Sequence, residues 1–260
     1  MTEKALPTKE EFVGLIRQSL SRRKDELKMR FEASAGEVGV RYVAIDDLLP
    51  DDVAGAIAGA FPNSDAMRLM DSFREKKFTS KAYDQFDPVL GDVTFAFQDQ
   101  RIVETVEEIT GIAEQVPDSL LYAGGLSAMA NGHFLSPHID NSHDSSRRYY
   151  RTLNLLYYVT EGWPEANGGN LQLWDRHVSR NVTIHSRFNR LILMETTPTS
   201  WHSVSKVSAD GLRKCVSNYY FSRRSPTGTE YFNITSFCAP PYQPALRLWS
   251  RFDAGGRQFG

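Results

Sequence analysis

The order of apolar and polar residues divides the chain into a helical first part and a strand-rich second part. Near the start, apolar residues recur at the three- and four-residue spacing of one helix face, at Phe12, Leu15, Ile16, Leu20, Leu27 and Phe31. Thr8 and Glu11 have the spacing of a capping box at the start of this stripe. The pattern predicts one long amphipathic helix packed on the outside of a sheet.

Shorter elements follow in the same part of the chain. The predicted elements are a strand at 41–45 and helices at 51–61, 82–87 and 99–110. Gly111 is a plausible stop for the last of these helices. Residues 66–80 are polar and show no regular period, so they are interpreted as a segment outside the core. Residues 1–118 are therefore expected to form a helical layer packed on a core.

From about residue 119, short runs of β-branched and aromatic residues alternate with turn residues such as Gly168 and Asp210. The candidate strands are 120–129, 133–139, 152–159, 170–174, 181–185, 190–195 and 214–221. So many short strands predict an α+β protein with a double-stranded β-helix, or jelly roll, of antiparallel strands. Residues 119–260 would form this core with a C-terminal cap that includes Trp249. We expect the two parts to form a single domain.

Composition, charge and the length of apolar runs argue against several classes of function. The chain has 260 residues, of which 41% are hydrophobic, and its formal net charge is −2, which gives no general affinity for nucleic acid or an anionic membrane. No apolar run approaches the ~20 residues that span a bilayer. The start of the chain lacks a secretory pattern, so a cytoplasmic location is expected. Cys215 and Cys238 lack the spacing of a zinc site, so both are expected to be reduced thiols. The oligomeric state stays open.

Two histidines and a carboxylate form the most informative pattern. His138 and Asp140 are two residues apart, so on a strand both side chains point to the same side of the sheet. His202 would join them from another strand. Two imidazoles and one carboxylate can hold one face of a non-haem Fe(II) and leave the remaining positions open. The pattern predicts an iron site inside the rolled sheet.

Five ordered features give the chain a resemblance to the Fe(II)- and 2-oxoglutarate-dependent oxygenases, especially their prolyl-hydroxylase-like branch. The features are His138-x-Asp140, the strand 151–158, the segment 168–174, Trp201-His202-Ser203-Val204 and the strand 213–221. The resemblance implies that iron, 2-oxoglutarate as cosubstrate and O₂ are used. It also implies that Arg213 and Tyr158 bind the far carboxylate of 2-oxoglutarate, since arginine offers that group a permanent two-pronged donor.

Strand parity extends the prediction to neighbouring residues. If Arg213 points inward, Ser217 and Tyr219 do so too and lie where a substrate would sit. On the other strand, Thr152, Asn154 and Leu156 share the face of Tyr158. For these three we weigh contact with 2-oxoglutarate against simple filling of the barrel, and we favour filling.

Residues 121–144 carry a narrower resemblance. Together with the helical front third they look like the standalone radical halogenases of free amino acids such as lysine, and like the hydroxylase relatives of those enzymes. The halogenases replace the metal-binding carboxylate by glycine or alanine, so that chloride can bind there. This chain keeps Asp140. The resemblance therefore implies a hydroxylase.

The substrate residues are weighed against plainer alternatives. Arg74 is the candidate for a substrate carboxylate on a lid formed by 66–80, but it could equally be a solvated charge. Asn141 and Asp144 could bind a substrate ammonium, yet Asn and Asp also form turns. The leading interpretation is hydroxylation of a free amino acid, with lysine or a similar basic amino acid first. The alternatives are a prolyl-hydroxylase-like enzyme acting on a peptide or protein, and a jelly-roll binding module that would lack one ligand.

Overall fold

The computed structural model describes residues 6–242. The chain begins with helices α1 (Lys9–Arg22) and α2 (Lys24–Ala33), and Thr8 caps α1 through the predicted capping box with Glu11. The one long helix predicted from the sequence is therefore two helices. The break is at Arg23, whose φ of −118° and ψ of 12° interrupt the helical geometry.

The remaining helices complete an outer layer. They are α3 (Ala35–Val38), α4 (Asp51–Ala60), α5 (Pro88–Ala96) and α6 (Gln100–Thr110). Gly111 ends α6 in the left-handed conformation, as predicted. The helix α5 was missed, because the sequence pattern placed a helix at 82–87, where only a short turn of 3₁₀-helix lies at Tyr83–Gln85. Asp87 caps α5, and Pro88 occupies its first turn.

The strands form one strongly curved antiparallel sheet. They are β1 (Tyr42–Ile45), β2 (Arg68–Asp71), β3 (Glu75–Ser80), β4 (Gln115–Pro117), β5 (Gly125–Met129), β6 (Phe134–Ile139), β7 (Tyr150–Tyr158), β8 (Leu171–Trp174), β9 (Asn181–Ile184), β10 (Arg190–Glu195), β11 (His202–Val204), β12 (Arg213–Ser222) and β13 (Ser236–Phe237). Neighbours follow the order β1-β10-β7-β12-β5-β3-β6-β11-β8-β9, with β2, β4 and β13 attached at its sides. The predicted jelly roll with a helical layer is confirmed.

Alternation along the strands separates two environments. On β7, Leu153, Leu155 and Tyr157 face outward and pack in one apolar cluster with helix residues such as Phe12 and Ile16. The alternate residues of β7 and β12 line an internal cavity. The helices therefore cover the outer face of the sheet and leave its inner face for polar chemistry.

Three details of the predicted organisation need correction. Besides β1, which matches the predicted strand at 41–45, residues before 119 supply β2, β3 and β4, which were not predicted. The polar segment 66–80 is a β-hairpin whose second strand, β3, pairs with β5 and β6, so it belongs to the sheet. Of the predicted C-terminal cap, β13 pairs with β6, while Trp249 lies outside the described residues. No helix within residues 6–242 is both long and apolar enough to cross a bilayer.

Candidate metal centre and cosubstrate pocket

His138, Asp140 and His202 meet at one point inside the sheet. His138 lies on β6 directly opposite His202 on β11, and Asp140 follows the end of β6. One ligand atom from each of the three lies within 4.8 Å of the others. Within the described part of the chain, no other group of three histidine, cysteine or carboxylate side chains comes together in this way. The cluster has the donor set and the compactness that one divalent iron requires.

Backbone carbonyl groups orient both imidazole rings. Nδ1 of His138 lies 3.0 Å from the carbonyl oxygen of Ser136, and Nδ1 of His202 lies 3.0 Å from that of Ser200. A carbonyl oxygen can only accept, so in each ring Nδ1 carries the proton and Nε2 is left as the lone-pair donor. Burial, and then repulsion from His202, lowers the pKa of His138 to about 3. The ring is therefore neutral, as a metal ligand must be.

The carboxylate of Asp140 is held as an anion by its surroundings. Burial alone would raise its pKa, but the guanidinium of Arg151 and the two histidines more than offset burial and hold the pKa far below its usual range. Nη1 of Arg151 lies 2.9 Å from Oδ2, and Nδ2 of Asn154 donates to the same oxygen at 2.8 Å. Among the described residues, Oδ1 accepts no hydrogen bond. Oδ1 lies 3.7 Å from Nε2 of His138, and Oδ2 lies 3.5 Å from Nε2 of His202.

A second buried arginine, Arg213, lies on β12 and lines the same cavity as the three candidate ligands. Its Nε has no hydrogen-bond partner among residues 6–242. Its guanidinium carbon lies 5.2 Å from the ring centre of Tyr158, whose pKa is raised by burial, so that the phenol stays protonated as a donor. A buried guanidinium that lacks an anion is costly unless a ligand supplies one. The dicarboxylate 2-oxoglutarate fits this need.

Gly169 makes room for Arg213. Its φ of +70° lies in the left-handed region, and a Cβ there would lie 3.1 Å from Cγ of Arg213. Its neighbour Gly168 is more constrained still, because a Cβ would lie 2.0 Å from the carbonyl oxygen of Lys206. The two glycines of the sequence pattern thus have a physical reason: a side chain at Gly168 would collide with the backbone of Lys206, and a side chain at Gly169 would crowd Arg213.

The predicted substrate residues divide into two groups. Ser217 and Tyr219 line the cavity, which has a volume of about 300 Å³. Asn141 and Arg74 are not among its lining residues. Nδ2 of Asn141 instead donates to the carbonyl oxygen of His143 at 2.5 Å, which agrees with the turn-forming alternative.

Arg74 lies beside the metal cluster rather than inside the cavity. Its guanidinium carbon is 5.3 Å from the ring centre of Phe237, and that ring stacks on His138 with centres 5.4 Å apart. Its carbonyl oxygen accepts a hydrogen bond from the backbone N–H of Ser136. A role in substrate binding therefore stays a prediction for this residue.

Arg151 is the site residue that strand parity misses. Counting back from Tyr158 in steps of two places Thr152 inward and Arg151 outward. The pairing of β7 with β12 shifts at this point, since Leu153 lies opposite Tyr220 but Arg151 lies opposite Phe221. Thr152 is thus the extra residue of a β-bulge, and the bulge turns Arg151 toward Asp140.

The prediction for Thr152 is wrong for the same reason. Its hydroxyl donates to Oε1 of Gln115 at 2.8 Å, away from the cavity. Asn154 and Leu156 do line the cavity with Tyr158, as predicted. Of these, Asn154 bonds Asp140 and so does more than fill space.

Charged side chains from the hairpin and from the residue that follows it line another part of the cavity. Glu75, Lys77 and Lys81 are among its lining residues. Nζ of Lys77 lies 2.9 Å from the carboxylate of Glu75, and Nζ of Lys81 donates to the carbonyl oxygens of Leu121 and Tyr122. The sequence pattern assigned this hairpin to the exterior and so missed these residues.

Comparison with known proteins agrees with the chemistry of this cavity. Residues 124–222 match the profile of the 2OG-Fe(II) oxygenase superfamily. The chain is also similar to a prolyl 3-hydroxylase, OGFOD1 of Xenopus laevis, with 31% identity over 116 residues. That match covers 41% of this chain and only 22% of the relative, so most of the relative has no counterpart in the comparison.

Solved structures with similar folds include two prolyl hydroxylases. A prolyl 4-hydroxylase structure from Phytophthora capsici has a TM-score of 0.54 at 17% identity and covers 96% of this chain and 77% of its own. A prolyl hydroxylase from Trichoplax adhaerens, in complex with a peptide of the hypoxia-inducible factor, has a TM-score of 0.52 at 17% identity, with 78% and 92% covered. At these identities the likeness supports the fold alone.

Proposed function

We propose that this chain is a 2-oxoglutarate- and Fe(II)-dependent oxygenase that hydroxylates an unactivated C–H bond of an amino-acid unit, because residues 124–222 match the profile of that superfamily and include the three candidate metal ligands. The observation that carries the proposal is one cavity lined by both a histidine–aspartate–histidine cluster and a buried arginine whose Nε has no protein partner. Oxidation by O₂ needs the first, and a dicarboxylate cosubstrate needs the second.

Each residue has a proposed role. Nε2 of His138, Nε2 of His202 and one oxygen of Asp140 would hold the iron. Arg213 and the Tyr158 hydroxyl would bind the far carboxylate of 2-oxoglutarate. When bound, iron and 2-oxoglutarate supply the activation of O₂, with release of succinate and CO₂. We propose hydroxylation rather than halogenation because Asp140 occupies the position that a halide would need.

We propose a prolyl residue of a peptide or protein as the first substrate class. The support comes from the relatives, since the matched sequence relative and two structures of similar fold are prolyl hydroxylases. Ser217 and Tyr219 would then contact the substrate from the cavity wall. Since only 22% of that sequence relative is matched, its own substrate is not assumed for this chain.

A free amino acid, with lysine or a similar basic amino acid first, is the second candidate. The observation that favours it is the charged lining of the cavity. Glu75 and Lys77 are paired with each other at 2.9 Å, and a substrate that replaces this ion pair would find an anion for its ammonium and a cation for its carboxylate. Arg74 is the other proposed carboxylate partner. The predicted link to the amino-acid halogenases also stays a proposal.

Two further expectations stay proposals. We propose that residues 1–118 and 119–260 act as one domain, which is supported by strands from both parts in one sheet. We propose a cytoplasmic location, which is supported by two free cysteines. Cell fractionation tests the second proposal.

The test is a product assay with a defined set of substrates. The purified chain is incubated with Fe(II), 2-oxoglutarate, O₂, chloride and either free amino acids or prolyl peptides, and products are identified by mass together with succinate. A gain of one oxygen on a prolyl peptide supports the first substrate class, and on free lysine the second. Asp140→Ala serves as the inactive control. Absence of succinate above that control, with every substrate, would contradict the oxygenase assignment.

A further inference from the structure

Arg151 is a buried cation directed at a candidate metal ligand. Only 3% of its surface is exposed, and its Nη1 lies 2.9 Å from Oδ2 of Asp140. Its guanidinium carbon lies 4.4 Å from the ring centre of Tyr219 and 6.0 Å from that of Phe221. The aromatic rings and the β-bulge at Thr152 fix the planar group in place.

The charges at the site indicate that Arg151 does more than neutralise the Asp140 carboxylate. Once a divalent ion binds Asp140, the carboxylate has a cation already, and a second cation nearby is repelled by the metal. Burial of the Arg151 guanidinium and its repulsion by the metal both cost free energy. We therefore infer that its contribution is to orient the carboxylate. Arginine suits such a task, because its rigid fork fixes the direction of a carboxylate in a way that lysine does not.

The two oxygens of Asp140 are treated differently by the protein. Oδ2 lies 2.9 Å from Nη1 of Arg151 in an ion pair and accepts a hydrogen bond from Asn154, whereas Oδ1 accepts no hydrogen bond among residues 6–242. The ion pair and the hydrogen bond on one oxygen together oppose rotation of the carboxylate about its bond to Cβ. A carboxylate with both oxygens free could instead bind the metal through both, which would take up one further coordination position.

We propose that Arg151, with Asn154, is a positioning residue that holds Oδ2 of Asp140 and offers only Oδ1 to the metal. The coordination position that a second carboxylate oxygen would occupy then stays available to 2-oxoglutarate. The inference rests on the proposed function, because it concerns the same metal site. It assigns to Arg151 a different task from Arg213, whose role is to bind the cosubstrate itself.

The test uses Co(II) as a stable probe ion in the full chain. We would prepare Arg151→Met, Arg151→Lys and Asn154→Ala, with Arg41→Met as a matched control. Arg41 forms an ion pair with a carboxylate on the sheet, Glu195, and neither residue lines the cavity. The measurements are the visible spectrum of bound Co(II), the dissociation constant of 2-oxoglutarate for the Co(II) protein, and the thermal unfolding of the metal-free protein.

Arg151→Met is expected to change the Co(II) spectrum before any 2-oxoglutarate is added, and to weaken 2-oxoglutarate binding by about 10–100-fold, the usual effect of losing a partner of a metal ligand. Asn154→Ala should act in the same direction with a smaller effect. Arg151→Lys should fall between wild type and Arg151→Met. Arg41→Met should leave both the spectrum and the binding constant unchanged.

Three results would overturn the inference. One is a wild-type Co(II) spectrum in a folded Arg151→Met protein. This result counts against the inference even if 2-oxoglutarate binding is weaker, because weaker binding without a spectral change would indicate that Arg151 contacts the cosubstrate directly. Another, if Arg151→Met does not fold, is a wild-type spectrum in both Arg151→Lys and Asn154→Ala. The third is failure of the wild type to bind Co(II), which would remove the proposed function itself and is therefore distinguishable.

Discussion

Two buried arginines line or border the same cavity, and the protein treats them in opposite ways. Nη1 of Arg151 is paired in advance with Asp140, while Arg213 forms no ion pair with a carboxylate among the described residues. In both arginines Nε has no hydrogen-bond partner there, so the ion pair is what distinguishes them. A cation already paired inside the protein holds an internal group in place. A cation left partly unpaired in an otherwise polar cavity indicates an anion that comes from outside. The difference separates a residue that shapes the metal site from one that binds a cosubstrate.

The largest expected effect comes from removing the carboxylate that the paired arginine holds. Asp140→Ala should abolish hydroxylation, because the metal loses its anionic ligand and Arg151 is left as an uncompensated buried charge. We also expect the variant to open a position for a halide beside that cation. Product mass with and without chloride is the measurement. Full retention of hydroxylation would remove Asp140 from the metal site.

Removal of the second arginine should act on the cosubstrate instead. Arg213→Ala is expected to raise the 2-oxoglutarate requirement by about 10²–10³-fold, since a buried carboxylate loses its ion partner. Co(II) binding should stay near wild type, in contrast to the spectral change expected for Arg151→Met. Succinate formation against 2-oxoglutarate concentration checks the effect. An unchanged requirement would move the role to another cation, with Lys214 first in line.

Gly169 tests whether Arg213 depends on the space beside it. Gly169→Ala should weaken 2-oxoglutarate binding and lower the free energy of unfolding by about 1–2 kcal/mol, because alanine is strained at a φ of +70° and its Cβ would crowd Arg213. Calorimetry of 2-oxoglutarate binding and thermal unfolding measure the two effects. A matched control is Gly14→Ala on α1, where nothing lies within 4 Å of the added Cβ. Equal effects at both positions would contradict the explanation.

A smaller effect is expected at the phenol beside Arg213. Tyr158→Phe removes one donor to the far carboxylate and should weaken 2-oxoglutarate binding by about 3–10-fold, the usual value of one hydrogen bond. The ring that packs beside Arg213 stays in place, so stability should change little. Isothermal titration of the Co(II) protein with 2-oxoglutarate gives the constant. Unchanged 2-oxoglutarate binding would indicate that Arg213 binds the far carboxylate without a hydrogen bond from Tyr158.

The smallest effect on the cosubstrate is expected at Arg74, which lies outside the cavity lining. Arg74→Ala should weaken binding of an amino-acid substrate more than binding of 2-oxoglutarate, if its proposed role is right. The ratio of the two Michaelis constants, compared with wild type, is the measurement. Equal changes in both constants would reject that role and leave Arg74 as a residue that packs against Phe237.

The sequence was sufficient for the parts of the site that depend on local order. The shared direction of His138 and Asp140 and the inward face of β12 follow from strand alternation, while His202 follows from its place in the ordered histidine–aspartate–histidine pattern. The structure brings these residues to one cavity. Arg151 could not be found this way. Its direction depends on a bulge that is created by pairing with another strand, and a single sequence does not reveal pairing.

The same limit applies to the outer parts of the fold. The capping box at Thr8 is local and was predicted, whereas the break at Arg23 interrupts a continuous apolar stripe and was not. The hairpin at 66–80 has a polar sequence, and no residue of its two strands is buried, although β3 lies between β5 and β6 in the sheet. Its charged residues were therefore assigned to the exterior, although two of them, Glu75 and Lys77, line the cavity.

The most direct test is an anaerobic titration of 2-oxoglutarate into the wild-type chain, with and without Fe(II), beside Asp140→Ala and Arg213→Ala. We predict tight 2-oxoglutarate binding by the wild type only when Fe(II) is present. We also predict that Asp140→Ala weakens Fe(II) binding, and that Arg213→Ala binds Fe(II) but needs far more 2-oxoglutarate. Tight 2-oxoglutarate binding that is independent of both Fe(II) and Arg213 would contradict the shared cavity on which the proposed function depends.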